Sequence, residues 1–228
     1  MIYITGDTHG DIERFRGNTF SNLTSDAKLI ICGDFGFVIA DESNKKRYSA
    51  ELEKLDFLAS LPFEILFVDG NHENHDRLSA MPEEKRYGGI VHRIRNNIFH
   101  LTRGEIFTIE DKTFFAMGGA YSIDKAFQLS KGTWWAGEQP CEEEYRNAIN
   151  NLQLYNKNVD YIITHTCPSG LIMHMGHYPD PHDMQLTGFF DGLYFDVQFK
   201  NWYFGHFHTD KTITYKATAC YTELYKID

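Results

Sequence analysis

Five runs of hydrophobic residues, each followed directly by a small polar block, are the most regular pattern along the chain. The runs comprise residues 1–5, 28–32, 65–69, 161–164 and 202–204. Their lack of polar alternation predicts strands that are buried on both faces. Residues 11–20 and 45–61 carry apolar residues at helical spacing, with Asp11 suited to cap the first helix and Pro62 ending the second. Strands alternating with helices predict a largely parallel sheet covered by helices.

The pattern changes beyond about Gly88, where short strands follow one another through tight turns. Residues 98–101, 105–109 and 112–117 predict a second sheet, and residues 142–155 predict a helix. Residues 212–215 and 219–227 are predicted to close the chain as a hairpin-like pair. Residues 118–140 and 168–186 are predicted as long loops near the polar blocks, and long loops in compact domains are usually functional or mobile. The length of 228 residues favours one α/β domain spanning residues 1–228.

Composition narrows the classes of partner and compartment. The formal net charge of -10 argues against extended nucleic acid, because nucleic-acid binding relies on Lys and Arg neutralising phosphates. No run approaches the ~20 apolar residues of a membrane span, and no signal-peptide pattern precedes the first strand. Cys32, Cys141, Cys167 and Cys220 are widely spaced, which suits reduced thiols. We expect a cytoplasmic protein with no membrane partner, and the oligomeric state is open.

The polar blocks carry residues that bind metals. They read Gly6-Asp7-Thr8-His9-Gly10, Gly33-Asp34, Gly70-Asn71-His72-Glu73, Thr164-His165 and Gly205-His206-Phe207-His208. Because ligands bind beyond the carboxyl ends of the strands in open α/β sheets, these blocks are expected to converge. Aspartate and histidine together suit divalent Mn, Fe, Zn, Co or Ni.

The number of candidate ligands points to two metal ions. The candidates are Asp7, His9, Asp34, Asn71, His165, His206 and His208. Seven ligands are too many for one four-coordinate site and suit two metals that share a carboxylate. Two-metal sites clamp the attacking and leaving oxygens of an in-line displacement. Two divalent metal ions would carry more positive charge than their ligands carry negative charge. This surplus would let an acidic protein attract a phosphate ester.

The five blocks, in this order from Asp7 to His208, resemble the signature of the calcineurin-like metallophosphoesterase superfamily: D-x-H, G-D, G-N-H-[ED], H and G-H-x-H. The resemblance implies a four-layer αββα sandwich of two mixed β-sheets flanked by helices. It implies two divalent transition metal ions, Mn first among them, and hydrolysis of a small phosphoester by a hydroxide that bridges the metals. The implied roles place Asp7, His9 and His208 on one metal, Asn71, His165 and His206 on the other, Asp34 between them, and His72 as the residue that stabilises the transition state or protonates the leaving oxygen.

Within the superfamily, the chain looks most similar to small bacterial and phage phosphoesterases. The resemblance is carried by the segment from Gly118 to Lys125 and by the pair Trp134-Trp135. Many such proteins have an arginine where this chain has Gln128, so Lys125 and Tyr121 become the predicted substrate contacts. The chain also has Phe37 and Val38 in place of the Asp-Arg extension of the protein serine/threonine phosphatases. The prediction of a protein serine/threonine phosphatase is therefore weakened. The residue that contacts and orients His72 is not identified by the sequence.

Two alternatives of other kinds stay open at this point. One is a scaffold or binding module that kept the fold and lost catalysis, although no ligand is missing here. The other is a nuclease or nucleotide phosphohydrolase. Among the remaining histidines, His75 is expected on the surface, and His92 and His100 in the second sheet. His174, His177 and His182 are expected to border the site in a mobile loop.

Overall fold

The computed structural model describes residues 1–227, and these form thirteen strands in two sheets. The first sheet contains β1 (Ile2–Thr5), β2 (Lys28–Cys32), β3 (Glu64–Val68), β4 (Glu83–Arg86), β5 (Gly89–Arg95), β6 (Ile98–Leu101) and β13 (Tyr225–Ile227). The second contains β7 (Ile106–Ile109), β8 (Lys112–Met117), β9 (Tyr161–Thr164), β10 (Asn201–Phe204), β11 (Lys211–Thr214) and β12 (Ala217–Ala219). Each sheet therefore draws strands from distant parts of the chain.

Seven α-helices cover the sheets within the described residues. They are α1 (Ile12–Arg16), α2 (Lys45–Ala59), α3 (His75–Ser79), α4 (Lys125–Lys131), α5 (Glu142–Leu154), α6 (Ser169–His174) and α7 (Met184–Asp196). The side chain of Asp11 accepts a hydrogen bond from the backbone N–H of Glu13, which is the predicted cap of α1. Short 3₁₀ turns occupy Ala136–Glu138 and Pro181–Asp183.

Both sheets have a parallel centre and antiparallel edges. The first runs β13-β1-β2-β3-β6-β5-β4, with β1, β2, β3 and β6 parallel. The second runs β11-β12-β10-β9-β8-β7, with β12, β10, β9 and β8 parallel. Parallel centres need long crossover connections, and the helices provide them. The predicted mixed α/β architecture is confirmed.

Three hydrophobic clusters show how the layers stack. In β2, Leu29 and Ile31 pack in a cluster with residues of α1, α2 and α3, whereas Ile30 packs in a cluster shared with the second sheet. In β9, Ile163 joins that shared cluster, and Ile162 packs with residues of α5, α6 and α7. Because alternate residues of a strand face opposite sides, each sheet buries one face on helices and the other on its partner sheet. The order of layers is helix, sheet, sheet, helix.

Two sequence-based predictions of strand pairing were wrong. Residues 98–101 form β6 of the first sheet, because they pair in parallel with β3. The predicted closing hairpin is also wrong: β11 pairs with β12, while β13 crosses to the first sheet and pairs with β1. Periodicity identifies a strand but carries no information on its partner, which depends on contacts distant in sequence.

The two segments predicted as long loops contain helices. Residues 118–140 include α4 and a 3₁₀ turn, and residues 168–186 include α6, a second 3₁₀ turn and the start of α7. Helices as short as α4 and α6 leave little periodic signal and are stabilised by packing rather than by propensity. Within residues 1–227, no helix has the length and apolarity to cross a bilayer.

Candidate metal centre

The polar blocks meet where strands of both sheets end. Asp7, Asp34 and Asn71 follow β1, β2 and β3 of the first sheet, and His165 and His206 follow β9 and β10 of the second. The carboxyl ends of parallel neighbours lie at the same edge of a sheet, and the two sheets present these edges to one another. The five blocks therefore form one cluster.

Four of the seven predicted ligands have left-handed backbone conformations. The φ angles are 47° at His9, 46° at Asp34, 68° at His206 and 47° at His208. Such conformations are uncommon for residues other than glycine and concentrate at functional sites, where the surrounding structure maintains them. At each of these positions the chain turns sharply after a buried strand.

Glycines allow the blocks to approach one another closely. A Cβ at Gly33 would lie 2.2 Å from Nδ1 of His165, and the φ of Gly33 is +85°. A Cβ at Gly70 would lie 2.1 Å from Oδ1 of Asp34. Both contacts are shorter than any real Cβ contact, so the glycines of the second and third blocks are required for the observed packing.

One group of potential ligand atoms comprises Asp7, His9 and His208, whose donor atoms lie within 4.8 Å of one another. Nε2 of His9 and Nε2 of His208 are 2.9 Å apart. The carboxylate of Asp7 accepts the backbone N–H of His206 at 3.0 and 3.1 Å, which fixes its orientation. The ring of His208 stacks on Tyr221, with centroids 4.8 Å apart.

A second group surrounds His165, which is fully buried. Its Nδ1–H donates to the carbonyl of Cys32 at 2.9 Å, so Nε2 is the atom that faces Oδ1 of Asn71 at 3.0 Å. Asn71 donates its amide to Oγ of Ser122 at 3.1 Å, which directs Oδ1 toward His165. Hydrogen bonds of this kind orient metal-binding side chains in known metal sites.

Asp34 lies between the two groups. Its Oδ1 is 3.5 Å from Nε2 of His165, and its Oδ2 is 3.7 Å from Nε2 of His9. The backbone N–H of His72 donates to Oδ1 at 2.9 Å. One carboxylate oxygen thus faces each group, which is the arrangement a bridging ligand needs. A carboxylate oxygen of Asp7 lies within 4.8 Å of ligand atoms of His9 and His208. A carboxylate oxygen of Asp7 also lies within 4.8 Å of ligand atoms of Asp34 and His165.

His206 is less closely integrated than the other predicted ligands. Its ring lies 4.9 Å from that of His165, measured between centroids, at an angle of 69°. Two sets of residues have ligand atoms within 4.8 Å of one another: Asp7, His9 and His208, and Asp7, Asp34 and His165. The nitrogen atoms of His206 belong to neither set. The structure thus brings Asp7, His9, Asp34, Asn71, His165 and His208 together and leaves His206 at the edge.

Burial and neighbouring charges shift the pKa values of the cluster, and the shifts keep its imidazoles in the neutral form. Burial, together with the negative charge of Asp34, raises the pKa of Asp7 well above its ordinary value. Burial also disfavours ionised Asp34, but the facing imidazoles of His165, His72 and His9 lower its pKa below the ordinary value. Burial lowers the pKa of His206 to about 3 and that of His9 to about 4. Both imidazoles are therefore neutral at pH 7, which is the form that binds metals.

The donor set fits divalent metals. Nε2 of His165 faces the carbonyl oxygen of Asn71, and two imidazole nitrogens face each other between His9 and His208. With its Nδ1–H donated to Cys32, neutral His165 has an acceptor at Nε2 that faces the acceptor oxygen of Asn71, so a cation between them would satisfy both. A mixed oxygen and imidazole set around buried carboxylates suits transition metals better than Mg or Ca.

Two side chains that the sequence pattern did not single out hold the turns in place. Glu73 is fully buried and accepts the backbone N–H groups of Gly36 at 3.1 Å and Gly70 at 2.7 Å, which links the second and third blocks. Arg14 donates to the carbonyls of Gly6 at 3.1 Å and Asp7 at 2.8 Å. Glu73 is part of the third block, directly after His72, and this position was the available sequence signal for it.

His72 lies beside the cluster with 30% of its side chain exposed. Its Nε2 is 3.9 Å from Oδ2 of Asp34, and its ring centroid is 5.5 Å from that of His9. Its Nδ1 is 2.9 Å from Nε2 of Gln128. The partner of His72 that the sequence left open is therefore Gln128.

The two predicted substrate contacts occupy different surroundings. Tyr121 stacks on His182 with centroids 4.6 Å apart, and it lines a cavity of about 240 Å³ together with Ile123, His206 and Phe207. Lys125 instead places Nζ 3.9 Å from the ring centroid of Trp134, a cation–π contact. Tyr121 thus borders the cluster directly, while the ammonium group of Lys125 packs on Trp134.

The remaining histidines required two corrections. His75 is buried, because α3 packs against the first sheet, and its pKa is lowered by burial to about 4. His92 and His100 lie in β5 and β6 of the first sheet, with their Nδ1 atoms 3.0 Å apart. All three line a separate cavity of about 650 Å³. His177, in contrast, borders the 240 Å³ cavity and stacks on Phe207.

Comparison with solved structures supports the fold. The chain is similar to a Staphylococcus aureus protein described as a candidate 5′-nucleotidase, crystallised in complex with α-ketoglutarate. The TM-score is 0.50 at 11% sequence identity, and the match covers 100% of this chain. The chain spans about half the length of that structure, since 51% of it is covered. No curated protein matches the chain.

Comparison with family models gives the assignment. A model described as calcineurin-like phosphoesterase matches residues 1–210. This span contains all five polar blocks, the strands that carry them and every predicted metal ligand. The match covers well over half of the chain and agrees with the layer order of the fold. The chain therefore belongs to the calcineurin-like phosphoesterase family.

Proposed function

We propose that the protein is a dinuclear metal-dependent hydrolase of small phosphoesters. Asp7, His9 and His208 would hold one metal, and Asn71, His165 and His206 the other, with Asp34 shared. Mn is the first choice, with Fe, Zn, Co and Ni as alternatives. We keep two further predictions with this proposal: a single domain over residues 1–228 and a cytoplasmic location.

One observation carries the proposal: Asp34 directs one carboxylate oxygen toward Nε2 of His165 and the other toward Nε2 of His9, which belong to the two separate groups of potential ligands. A hydrogen-bonded structural cluster would pair donors with acceptors. Here Nε2 of His165, whose Nδ1–H already donates to Cys32, faces the carbonyl oxygen of Asn71 and the carboxylate of Asp34.

The protein's own residues would position the ester and the reacting groups. Bound metals would supply positive charge to the phosphoryl oxygens and lower the pKa of a bound water. Glu73 holds the second and third turns in register, and the backbone N–H of His72 fixes Asp34. The His72 side chain, beside Asp34, is placed to contact the phosphoryl group or the leaving oxygen.

The surroundings of the cluster favour a small substrate. The cavity beside His206 measures about 240 Å³ and is bordered by Tyr121, Ile123, Tyr178 and Phe207. A cavity of this size is below the usual range for drug-sized ligands and suits a compact organic group. The net charge of -10 argues against a long polyanion. Whether the ester is a monoester or a diester is left to the assay.

The direct test is hydrolysis of 4-nitrophenyl phosphate and bis(4-nitrophenyl) phosphate by protein loaded with Mn, Co or Ni. We expect release of 4-nitrophenol that disappears when a chelator removes the metal. No product from either ester with any of Mn, Fe, Co, Ni or Zn would contradict the proposal. A panel of mononucleotides, cyclic nucleotides and dinucleoside polyphosphates then identifies the ester. Faster cleavage of a polynucleotide at moderate salt would favour the nuclease alternative.

Metal addition is expected to stabilise the folded protein. A ligand at 100 times its dissociation constant adds ~2.7 kcal/mol to the free energy of unfolding. For a chain of this size that corresponds to a rise of roughly 5–10 °C in Tm, measured by differential scanning fluorimetry with Mn. The scaffold alternative predicts no such rise and less than one tightly bound metal per chain.

A further inference from the structure

Gln128 contacts the imidazole of His72 through its side-chain amide. Its side chain is 3% exposed, and Nε2 lies 2.9 Å from Nδ1 of His72. The same nitrogen donates to Oδ1 of Asp124 at 2.8 Å. Asp124 directly precedes α4, and Gln128 lies one helical turn later. The first turn of α4 thus presents an amide to the imidazole, and a carboxylate holds that amide.

The carboxylate determines which way the amide points. An ionised carboxylate only accepts hydrogen bonds, so the Gln128 atom it contacts is the amide nitrogen. That nitrogen has two hydrogens, one directed to Asp124 and the other to Nδ1 of His72. Nδ1 therefore accepts, and the ring hydrogen of neutral His72 resides on Nε2.

The neighbouring contacts show that this arrangement is not incidental packing. Asp124 occupies the N-cap position of α4, where an aspartate ordinarily accepts a backbone N–H, but its side chain makes no cap hydrogen bond. Among the described residues, Oε1 of Gln128 has no hydrogen-bond partner although it is buried. Gln128 thus contacts His72 and Asp124 through its nitrogen while its own oxygen stays unpaired, and Asp124 accepts from Gln128 in place of a cap hydrogen bond.

The tautomer decides between the two roles that the sequence allowed for His72. Its Nε2 lies 3.9 Å from Oδ2 of Asp34, so the N–H is on the side of the ring next to the cluster. A neutral imidazole with hydrogen on Nε2 can donate a hydrogen bond to a phosphoryl oxygen. Giving up that hydrogen would leave an imidazolate anion, which is a poor product at neutral pH. Hydrogen-bond stabilisation is therefore the role that fits.

We propose that Gln128, held by Asp124, is a positioning residue that fixes His72 as a neutral Nε2–H donor toward the transferring phosphoryl group. The catalytic part of this inference rests on the proposed function. The tautomer part does not, because it can be measured in the metal-free protein without substrate. The two can therefore fail separately.

The first test is the ¹⁵N spectrum of the histidines in metal-free protein, with His72 assigned by comparison with His72→Ala. We expect hydrogen on Nε2 of His72 in the wild type. In Gln128→Glu, the new carboxylate would accept from Nδ1 and move the hydrogen there. Gln153→Glu, the same change at an exposed position of α5, is expected to leave the His72 signals unchanged. Hydrogen on Nδ1 in the wild type, or an unchanged tautomer in Gln128→Glu, would overturn the inference.

The second test separates positioning from binding. Loss of a residue that orients a catalytic or metal-binding group typically costs about 10–100-fold. We expect Gln128→Glu and Gln128→Leu to lower kcat by that amount while KM and Mn content stay near wild type. Asp124→Asn should retain most activity, because its amide oxygen can still accept from Gln128. Wild-type kcat in both Gln128 variants would overturn the catalytic part, and a wild type without phosphoesterase activity would overturn the proposed function itself.

Discussion

Replacing Asp34 by asparagine is expected to reduce phosphoester hydrolysis by more than about 100-fold, the upper end of what loss of an outer-shell partner costs at a metal site. The substitution keeps the shape of the side chain and removes one charge. The carboxylate faces His165 with one oxygen and His9 with the other, at 3.5 and 3.7 Å. An amide offers only one acceptor atom, so one of the two groups loses its shared ligand.

The matched control is Asp196→Asn, which removes an exposed carboxylate on α7 that pairs with Lys157 at 3.2 Å. Surface pairs of this kind contribute ~0–1 kcal/mol, so activity and stability should stay near wild type. The comparison is made on kcat/KM with Mn, together with metal content per chain. Equal activity of Asp34→Asn and the wild type would remove the basis for a shared carboxylate.

Removing the guanidinium of Arg103 is expected to produce the largest loss of stability. Arg103 and Asp69 are 7% and 1% exposed, and they form a buried ion pair through Nε at 3.0 Å and through Nη2. Asp69 also accepts from Nε2 of His100 at 3.0 Å. Arg103→Met would leave a buried carboxylate without its main partner. Breaking a buried pair in this way costs ~3–5 kcal/mol, or roughly 6–20 °C in Tm for a chain of this size.

The double variant Asp69→Asn with Arg103→Met provides the control, because it removes both charges. Its Tm should lie above that of Arg103→Met, since pairs replaced together cost less than pairs broken singly. Differential scanning calorimetry of the wild type, the two single variants and the double variant checks this. If the double variant lowers Tm by as much as the two single changes added together, the ion pair is not the source of the lost stability.

The stability contributed by Asp69 should depend on pH in a defined direction. Although burial opposes ionisation, Arg103 and His100 hold the pKa of Asp69 far below its ordinary value. The stabilisation is therefore complete above the unfolded-state pKa of ~3.9 and declines as the pH falls below it. In Arg103→Met this contribution is missing, so the difference in free energy of unfolding between wild type and variant should narrow below about pH 4.

The strands and the polar blocks that follow them were predictable from sequence because their signals are local. A buried strand such as 28–32 is a continuous apolar run, and Asp34 follows it at a fixed offset. The partner of a strand is not local information: β6 and β13 were misplaced because their pairing depends on contacts with β3 and β1. The supporting contacts were also out of reach, since Gln128 and His72 are separated by 56 residues in sequence.

The role of the seven predicted ligands is tested most directly by anomalous X-ray diffraction from crystals of the protein loaded with Mn. We expect two anomalous peaks: one beside Asp7, His9 and His208, and one beside Asn71, His165 and His206, with Asp34 in contact with both. A fully loaded crystal with no peak at this cluster, or with its Mn bound elsewhere on the protein, would contradict the account.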